Sequence, residues 1–246
     1  MDLRAVHPSL KVEYAPGVLV DAARTVLGLY DTGLTYWQGI QEMRRQIIRE
    51  LSRRFGASNV DSSGNKAIRP KKLPGSRADV DIVPAFTYYW VVWDSDASKY
   101  QVKEGVAILG NDLNWTYNFP EQHHTNGIAK RVRTKYRFKR NVRILKRLRD
   151  EPVDTNQLEP KQAPSFLIEC LMYAVEDECF LVEADDRYDR ALRILHRLEE
   201  CLNDSNWVSN VTEINEIKYL FRPTQPWNVN DARKLVRTAR LRMEAS

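Results

Sequence analysis

Apolar side chains recur every three to four positions between Tyr36 and Phe55, which is the spacing of an amphipathic helix. The apolar positions of this segment are Ile40, Met43, Ile47 and Leu51. Gly56 follows directly, and a glycine at this place is typical of a helix end. The pattern predicts one long helix over Tyr36–Phe55 with one buried face.

The next part of the chain favours strands. Short segments rich in valine, isoleucine and aromatic residues are divided by Pro, Gly, Asn and Asp. The predicted extended segments are Asn65–Arg69, Arg77–Phe86, Tyr88–Trp93, Gly105–Leu109 and Trp115–Phe119. The opening residues, as far as the His7-Pro8 break, are also predicted to form a strand.

After Pro120 the periodicity becomes helical almost to the end of the sequence. The predicted helices are Glu121–Arg133, Tyr136–Arg149, Pro164–Val175, Asp186–Leu202 and Asn230–Met243. The polar segment Asp150–Ala163 is predicted to be a surface loop. A sheet-containing lobe over residues 1–120 and a helical lobe over residues 121–246 make the predicted fold class α+β.

The composition is that of a folded protein. Of the 246 residues, 43% are hydrophobic and 29% are charged. No apolar stretch approaches the roughly 20 residues of a membrane-spanning helix, and the opening residues do not resemble a signal peptide. The cysteines are Cys170, Cys179 and Cys201, without a CxxC spacing, so neither a disulfide framework nor a zinc site is expected. We expect a cytoplasmic protein with no membrane partner.

The net charge of +5 is unevenly distributed. From Lys130 to Arg149 the chain contains many cations and no acid. Within this run Lys139, Arg143 and Lys146 are spaced at i, i+4 and i+7, which places them on one helix face. A basic face of this kind suits nucleic acid or nucleotide phosphates, and a solvated helix surface is the alternative interpretation.

Two aspartates interrupt an otherwise apolar strand pattern at Asp79 and Asp81. Alternate side chains of a strand share a face, so both carboxylates would point the same way. Aspartate is a poor strand former, and Mg²⁺ prefers such hard carboxylate oxygens. A metal site and an ordinary half-exposed strand both explain the pattern. Asp2, in the opening strand, and Asp81 could supply part of a two-metal phosphoryl-transfer site.

Several segments, in consistent order, resemble the cyclic-GMP–AMP-synthase-like bacterial nucleotidyltransferases of the DNA-polymerase-β superfamily. Asp81-Ile82-Val83-Pro84-Ala85 is similar to the strand of that family that carries its third catalytic acid, and Gly64-Asn65-Lys66-Ala67-Ile68 is similar to a strand upstream of it. Asn118-Phe119-Pro120, Gln122-His123, Asn126-Gly127 and Lys130 resemble a further family segment. The resemblance covers about Met1 to Trp227, and it implies a polymerase-β-like sheet lobe followed by a helical lobe.

The family's first motif is a Gly-Ser loop followed by an acid-x-acid strand. The resemblance puts Met1 at the middle position of that strand motif and Asp2 at its second acid. The first acid and the Gly-Ser loop are therefore expected upstream of Met1, and the sheet lobe is expected to be incomplete at its start. A shortened gene model, a fragment and a decayed relative would each give this pattern, and a chain without these parts would have its activity in question.

The resemblance also implies a set of site residues. Asp2 and Asp81 would be the catalytic, metal-binding acids, with Mg²⁺ or Mn²⁺ as the metal. Lys139, Arg143 and Lys146 would bind the triphosphate of the nucleotide. Ser165, at the start of a helix, would bind phosphate, and Phe166 would stack on a base. The alternative is that Ser165 is only a helix-start residue and Phe166 a core residue, and His123 is interpreted as structural.

The implied function is a Mg²⁺-dependent nucleotidyltransferase that uses nucleoside triphosphates of the ATP or GTP type. By resemblance its product is a cyclic di- or oligonucleotide that signals in antiphage defence. One rival is a transferase of the toxin–antitoxin type that modifies tRNA or a protein, and another is an inactive remnant that binds nucleotide or RNA. Besides nucleoside triphosphates, RNA and a regulatory protein are the partners considered.

Overall fold

The computed structural model of the protein describes residues 10–29, 35–73, 75, 80–154, 159, 162–182 and 186–245. The chain divides into two compact units, Met1–Phe119 and Pro120–Ser246, called here the sheet unit and the helical unit. The sheet unit contains both strands and helices, and the described residues of the helical unit are mostly in long helices. The predicted α+β class is therefore confirmed. In the part of the chain described, no helix is long and apolar enough to cross a membrane.

The sheet unit contains a mixed sheet. Its described elements are β1 (Leu10–Tyr14), α1 (Val20–Leu27), α2 (Tyr36–Phe55), a 3₁₀ turn (Ala57–Asn59), β2 (Val60–Asp61), β3 (Arg69–Pro70), β4 (Phe86–Asp94), β5 (Lys99–Leu109) and β6 (Trp115–Asn118). The strand order is β1-β4-β5-β6, with β1 parallel to β4 and the other pairs antiparallel. Strands β2 and β3 form a separate two-stranded ladder.

Aromatic side chains join α2 to the sheet. Tyr36, the first residue of α2, makes edge-on contacts with Phe86 of β4 and Trp115 of β6. Gly105 on β5 lies close to β6, where a Cβ atom would come within 2.4 Å of the Asn118 carbonyl oxygen. Only glycine allows this approach, and the register of the last two strands depends on it.

The helical unit is built around one continuous apolar core. Its described helices are α3 (Pro120–Arg133), α4 (Arg137–Asp154), α5 (Ser165–Ala174), α6 (Glu178–Leu181), α7 (Arg187–Asn203), α8 (Ser205–Asn210) and α9 (Val229–Glu244). Buried side chains include Phe138 and Leu145 of α4 and Leu171 of α5. Asn228 and Asp231 form a reciprocal capping box at the start of α9, which fixes where this helix begins.

The long predicted helices agree with the structure, and the predicted strands Tyr88–Trp93, Gly105–Leu109 and Trp115–Phe119 lie at β4, β5 and β6. Helix α2 has the predicted bounds Tyr36–Phe55. Of the strand expected over Arg77–Phe86, residues 80–86 are described, and they form a bridge at Ile82 before β4 starts at Phe86. Helix α4 continues to Asp154, into the predicted loop. The elements β1, β2, α1, α6 and α8 were not expected, because runs this short carry too few periods to be recognised.

Candidate functional site

Arg44 of α2 holds the loop that precedes the candidate carboxylate. Its side chain is 5% exposed, and its guanidinium donates to the carbonyls of Lys66 (2.9 Å), Gly64 (3.1 Å) and Ser62 (3.3 Å). A planar five-donor group is suited to collecting several backbone carbonyls in this way. The Gly64–Lys66 segment is thus tied to α2 inside the sheet unit, a role that the sequence pattern of α2 did not indicate.

The Asp81 carboxylate lies beside the bridge to which this loop leads. Ile68 and Ile82 exchange two backbone hydrogen bonds of 2.8 and 2.9 Å. Asp81 has a half-exposed side chain, and its Oδ1 accepts a hydrogen bond of 2.8 Å from Nε of Arg69. The hydrogen bond from Arg69 lowers the pKa of Asp81, so the carboxylate is ionised at neutral pH.

The charge and exposure of Asp81 suit a hard divalent cation, but one carboxylate is not a complete site. Among the described residues, no group of three or more His, Cys, Asp or Glu side chains could hold a metal ion. Asp2 and Asp79 lie outside the described residues. The metal-binding role of Asp2 and Asp81 therefore stays a prediction.

The predicted basic residues of α4 differ in their surroundings. Lys139 forms an ion pair with Glu169 of α5, which neutralises it. Arg143 is exposed and lines an open cavity on another part of the α4 surface. Lys146 is half-buried and lies one turn before Arg149. A shared helix face in the sequence pattern thus does not give these three cations equal surroundings.

Arg149 contacts the start of α5. Its Nη1 donates to Oγ of Ser165 at 3.3 Å and to the carbonyl of Ala163 at 3.1 Å. Helix α5 begins at Ser165, with Pro164 as the N-cap residue, and the first N–H groups of a helix have no acceptor within it. Arg149 also forms an ion pair with Asp150, the next residue, at 2.5 Å. We call Lys146, Arg149 and Ser165 the α4–α5 edge, because Arg149 contacts Ser165 and Lys146 lies one turn before Arg149 on α4.

Phe166 is packed between aromatic rings on the helical unit. His123 stacks on it at a centroid distance of 5.5 Å, and the Trp227 ring lies 6.0 Å away in a tilted arrangement. The Phe166 side chain remains about one-third exposed. Burial lowers the pKa of His123, which favours the neutral imidazole in this stack. One face of Phe166 is therefore already occupied by a ring of the protein itself.

The Asn126-Gly127-x-x-Lys130 segment is structural. The Asn126 side-chain amide donates to the Ile214 carbonyl at 2.8 Å. Lys130 is 4% exposed, donates to the carbonyl of Val175 just after α5, and forms a 2.6 Å ion pair with Asp177. These contacts join α3 to the segments that follow α5 and α8, so this part of the motif maintains the fold of the helical unit.

Comparison with known proteins identifies the family. The family model for the cGAS/DncV-like nucleotidyltransferase C-terminal helical domain matches residues 125–244, which is almost the whole helical unit. The cyclic dipyrimidine nucleotide synthase CdnE of Legionella pneumophila is 33% identical over 202 residues, covering 81% of this chain and 64% of the relative. The chain belongs to the cGAS/DncV-like nucleotidyltransferases. The resemblance of its sequence motifs to this family is confirmed.

A second curated relative is also named as a cyclic nucleotide synthase. The cyclic dipurine nucleotide synthase of Elizabethkingia meningoseptica is 30% identical over 159 residues, covering 64% of this chain and 51% of the relative. This chain spans less than two thirds of the length of these two curated relatives.

Solved structures share the fold of this family member. The Elizabethkingia meningoseptica CdnE cyclic dinucleotide synthase with GTP and Apcpp matches with a TM-score of 0.68 and 25% identity, covering 81% of this chain and 69% of that chain. The Rhodothermus marinus CdnE c-UMP-AMP synthase matches with a TM-score of 0.71 at 22% identity, covering 94% and 72%. The second likeness is one of fold alone.

Sequence reasoning missed two residues of this chain, Arg149 and Arg44. Arg149 stood inside the recognised basic run, three positions after Lys146, and that i+3 spacing was the available signal. Arg44 had none, because a buried arginine on an amphipathic helix is not distinguished by pattern from its exposed neighbours. The roles of the predicted residues Asp2, Asp81, Lys139, Arg143, Lys146, Ser165 and Phe166 remain predictions.

Proposed function

We propose that this chain is part of a Mg²⁺-dependent nucleotidyltransferase that joins nucleoside triphosphates into a cyclic di- or oligonucleotide. The curated relatives are named for the synthesis of such products, and the Elizabethkingia meningoseptica structure contains GTP and Apcpp. The observation that carries the proposal is the α4–α5 edge, where the Arg149 guanidinium contacts Ser165 at the start of an apolar helix.

The α4–α5 edge has the chemistry that a triphosphate requires. The first N–H groups of α5 point at any anion bound there, and the helix dipole favours negative charge at that end. The Ser165 hydroxyl adds a hydrogen-bonding group, and Arg149 holds it through the 3.3 Å contact. Lys146 supplies a charge with no ion pair among the described residues. We assign it the phosphate contact in preference to Lys139, which Glu169 neutralises.

Asp81 is the proposed metal-binding carboxylate of the sheet unit, together with Asp2. An exposed carboxylate is ionised at neutral pH, which is the state that a metal ligand needs, and the hydrogen bond from Arg69 lowers the pKa of Asp81 further. A bound Mg²⁺ or Mn²⁺ would activate the attacking hydroxyl and neutralise charge on the phosphates. The hydrogen bond from Arg69 to Oδ1 orients the carboxylate.

Calorimetry tests the nucleotide-binding role. We expect Lys146→Ala to weaken the binding of a non-hydrolysable ATP or GTP analogue by about tenfold to a hundredfold, because one charge-assisted contact is lost. Lys234→Ala is the matched control, since Lys234 is an exposed lysine of α9 with no ion pair among the described residues. Equal affinity of both variants and the parent protein would remove the α4–α5 edge from the proposal.

Product analysis tests the reaction. The protein is incubated with labelled nucleoside triphosphates and Mg²⁺, with and without RNA, beside an Asp81→Asn variant. Small phosphatase-resistant products that the variant does not make are expected. Labelled tRNA, a labelled protein, or binding without turnover would each contradict the proposed reaction.

The proposed biological role is a signalling function in antiphage defence, in the cytoplasm. Cys170, Cys179 and Cys201 are free thiols, which is compatible with a reducing compartment. Expression of the gene with its neighbours in a phage-sensitive host should reduce plaque formation, and the Asp81→Asn variant should not. Equal plaque counts for both would argue against this role.

A further inference from the structure

An open cavity of about 340 Å³ lies on the helical unit at α4 and the start of α7. The residues that line it are Arg140, Arg143, Ile144, Arg147 and Arg187. Four of these five side chains are arginines, and all four are exposed. We call this feature the arginine cavity.

The arginines of the cavity are arranged by two helices. Arg140, Arg143 and Arg147 follow one another at i, i+3 and i+7 along α4, so their side chains lie on one face over about 10 Å. Arg187, the first residue of α7, lines the same cavity from the second helix. The N-cap of α7, Asp186, accepts a hydrogen bond from the Asp189 N–H, so its carboxylate is used within that helix.

These guanidinium groups differ from most others in the helical unit. Elsewhere in the unit several arginines form ion pairs with carboxylates, namely Arg133–Asp177, Arg149–Asp150, Arg197–Glu176, Arg222–Glu213 and Arg240–Glu199. Others, such as Arg137 and Arg233, donate to backbone carbonyls. Within the described ranges, none of the four cavity arginine side chains has a hydrogen bond, an ion pair or a ring contact. Like charges one turn apart on a helix repel each other, so an anion bound among them would relieve that repulsion.

The lining decides which kind of anion fits. Guanidinium groups bind phosphate through two parallel N–H donors, and four of them carry a charge that matches several phosphate groups. The volume is in the range of small-molecule sites. The described lining includes no aromatic ring on which a base could stack, whereas single-stranded nucleic acid is usually held by such stacking. A compact ligand rich in phosphate therefore fits better than a nucleic acid strand.

We propose that the arginine cavity binds a compact polyphosphate, meaning a small molecule with three or more linked or clustered phosphate groups. The cavity would be an anion site in addition to the α4–α5 edge. It needs neither a base pocket nor a metal, and its existence does not depend on the proposed synthase reaction.

The test is calorimetry with inorganic tripolyphosphate, without divalent metal, on the full chain. All variants carry Lys146→Ala, which weakens phosphate binding at the α4–α5 edge. The measured affinity for tripolyphosphate then reports on the arginine cavity. Adding Arg140→Gln and Arg147→Gln should lower the affinity for tripolyphosphate at least about tenfold. Arg187→Gln alone should also lower it, because α7 contributes to the cavity.

Arg237→Gln is the matched control, since Arg237 is an exposed arginine of α9 away from the lining residues. It should leave the affinity unchanged. All these arginines are exposed, so the variants should fold, which circular dichroism checks. Equal tripolyphosphate affinity of the Arg140→Gln/Arg147→Gln protein and the control would overturn the proposal. Inorganic phosphate binding as tightly as tripolyphosphate would also overturn it. So would Arg140→Gln/Arg147→Gln substitutions that weaken the binding of a single-stranded RNA but not the binding of tripolyphosphate.

The two proposals fail separately. An unchanged nucleotide affinity in the Lys146→Ala protein would count against the proposed function and leave the cavity untouched. An unchanged tripolyphosphate affinity after the arginine substitutions would count against the cavity alone.

Discussion

Replacing Lys130 by methionine removes a buried charge from the helical unit while keeping a long, helix-compatible side chain. The ammonium group is 2.6 Å from Oδ1 of Asp177 and also donates to the carbonyl of Val175. It lies 5.3 Å from the ring centre of Phe180, so part of its stabilisation is a cation–π contact. The ammonium group also lies 5.7 Å from the ring centre of Tyr173. The variant therefore loses four interactions that join α3 to α5, to the segment after it and to α6.

The size of the effect follows from what remains after the substitution. Breaking a buried ion pair typically costs about 3–5 kcal/mol, because the partner is left buried and unpaired. Asp177 is 22% exposed and keeps its 2.6 Å ion pair with Arg133, so the loss should be smaller. We expect the Lys130→Met protein to be less stable by about 2–4 kcal/mol. For a chain of this length that corresponds to a fall in Tm of about 4–16 °C.

The pH dependence gives a second measurement. Burial by itself raises the pKa of Asp177, but hydrogen bonds from Lys130 and Arg133 outweigh it, so the pKa of Asp177 is lowered. A lowered carboxyl pKa contributes stability that is present above the unfolded pKa, about 3.9, and is lost as the pH falls through the folded value. The stability difference between the parent protein and Lys130→Met should therefore shrink between about pH 5 and pH 3.

Urea unfolding followed by circular dichroism at several pH values measures both effects. Lys234→Met is the control, because Lys234 is exposed on the same unit. If Lys130→Met were as stable as that control at pH 7, the buried pair would not stabilise the helical unit. A stability difference independent of pH would refute the assignment of the effect to the charge of Asp177.

Two further predictions concern the sheet unit. Arg44→Leu removes donors from three loop carbonyls and should cost about 2–4 kcal/mol, whereas the adjacent, exposed Arg45→Leu should cost little. Hydrogen exchange should show faster exchange of the Ile82 N–H in Arg44→Leu only, and equal rates in the two variants would contradict the link. Gly105→Ala places a Cβ atom 2.4 Å from the Asn118 carbonyl oxygen and should cost about 1–3 kcal/mol in thermal unfolding. An unchanged Tm would mean that β6 moves aside freely.

Much of the fold followed from periodicity. Helix α2 and the main helices after Pro120 bury one face each, and that face repeats with the helical period in the sequence. The strand pattern between Phe86 and Asn118 was recognised for the same reason. The strand predicted around Asp81 is shorter than expected in its described residues. An alternation of apolar residues indicates which side chains share a face, but it does not show whether a neighbouring strand pairs with the whole segment.

The sequence by itself determined which residues could bind an anion, and only the tertiary structure decided which of them are available. The basic run Lys130–Arg149 is uniform as a sequence pattern, yet Lys130 is buried against Asp177 and Lys139 is paired with Glu169. Arg149 contacts Ser165, while Arg140 stays unpaired at the cavity among the described residues.

The physical reason is that an ion pair needs two charges within a few ångströms. The ion-pair partners of Lys130 and Lys139 lie 47 and 30 positions further along the chain. Arg149 pairs with the adjacent Asp150, but the Ser165 hydroxyl that it contacts lies 16 positions further along. Local pattern fixes the direction in which a side chain leaves its own helix. The packing of α4 against α5, and of α3 against the segment after α5, determines which group each cation meets.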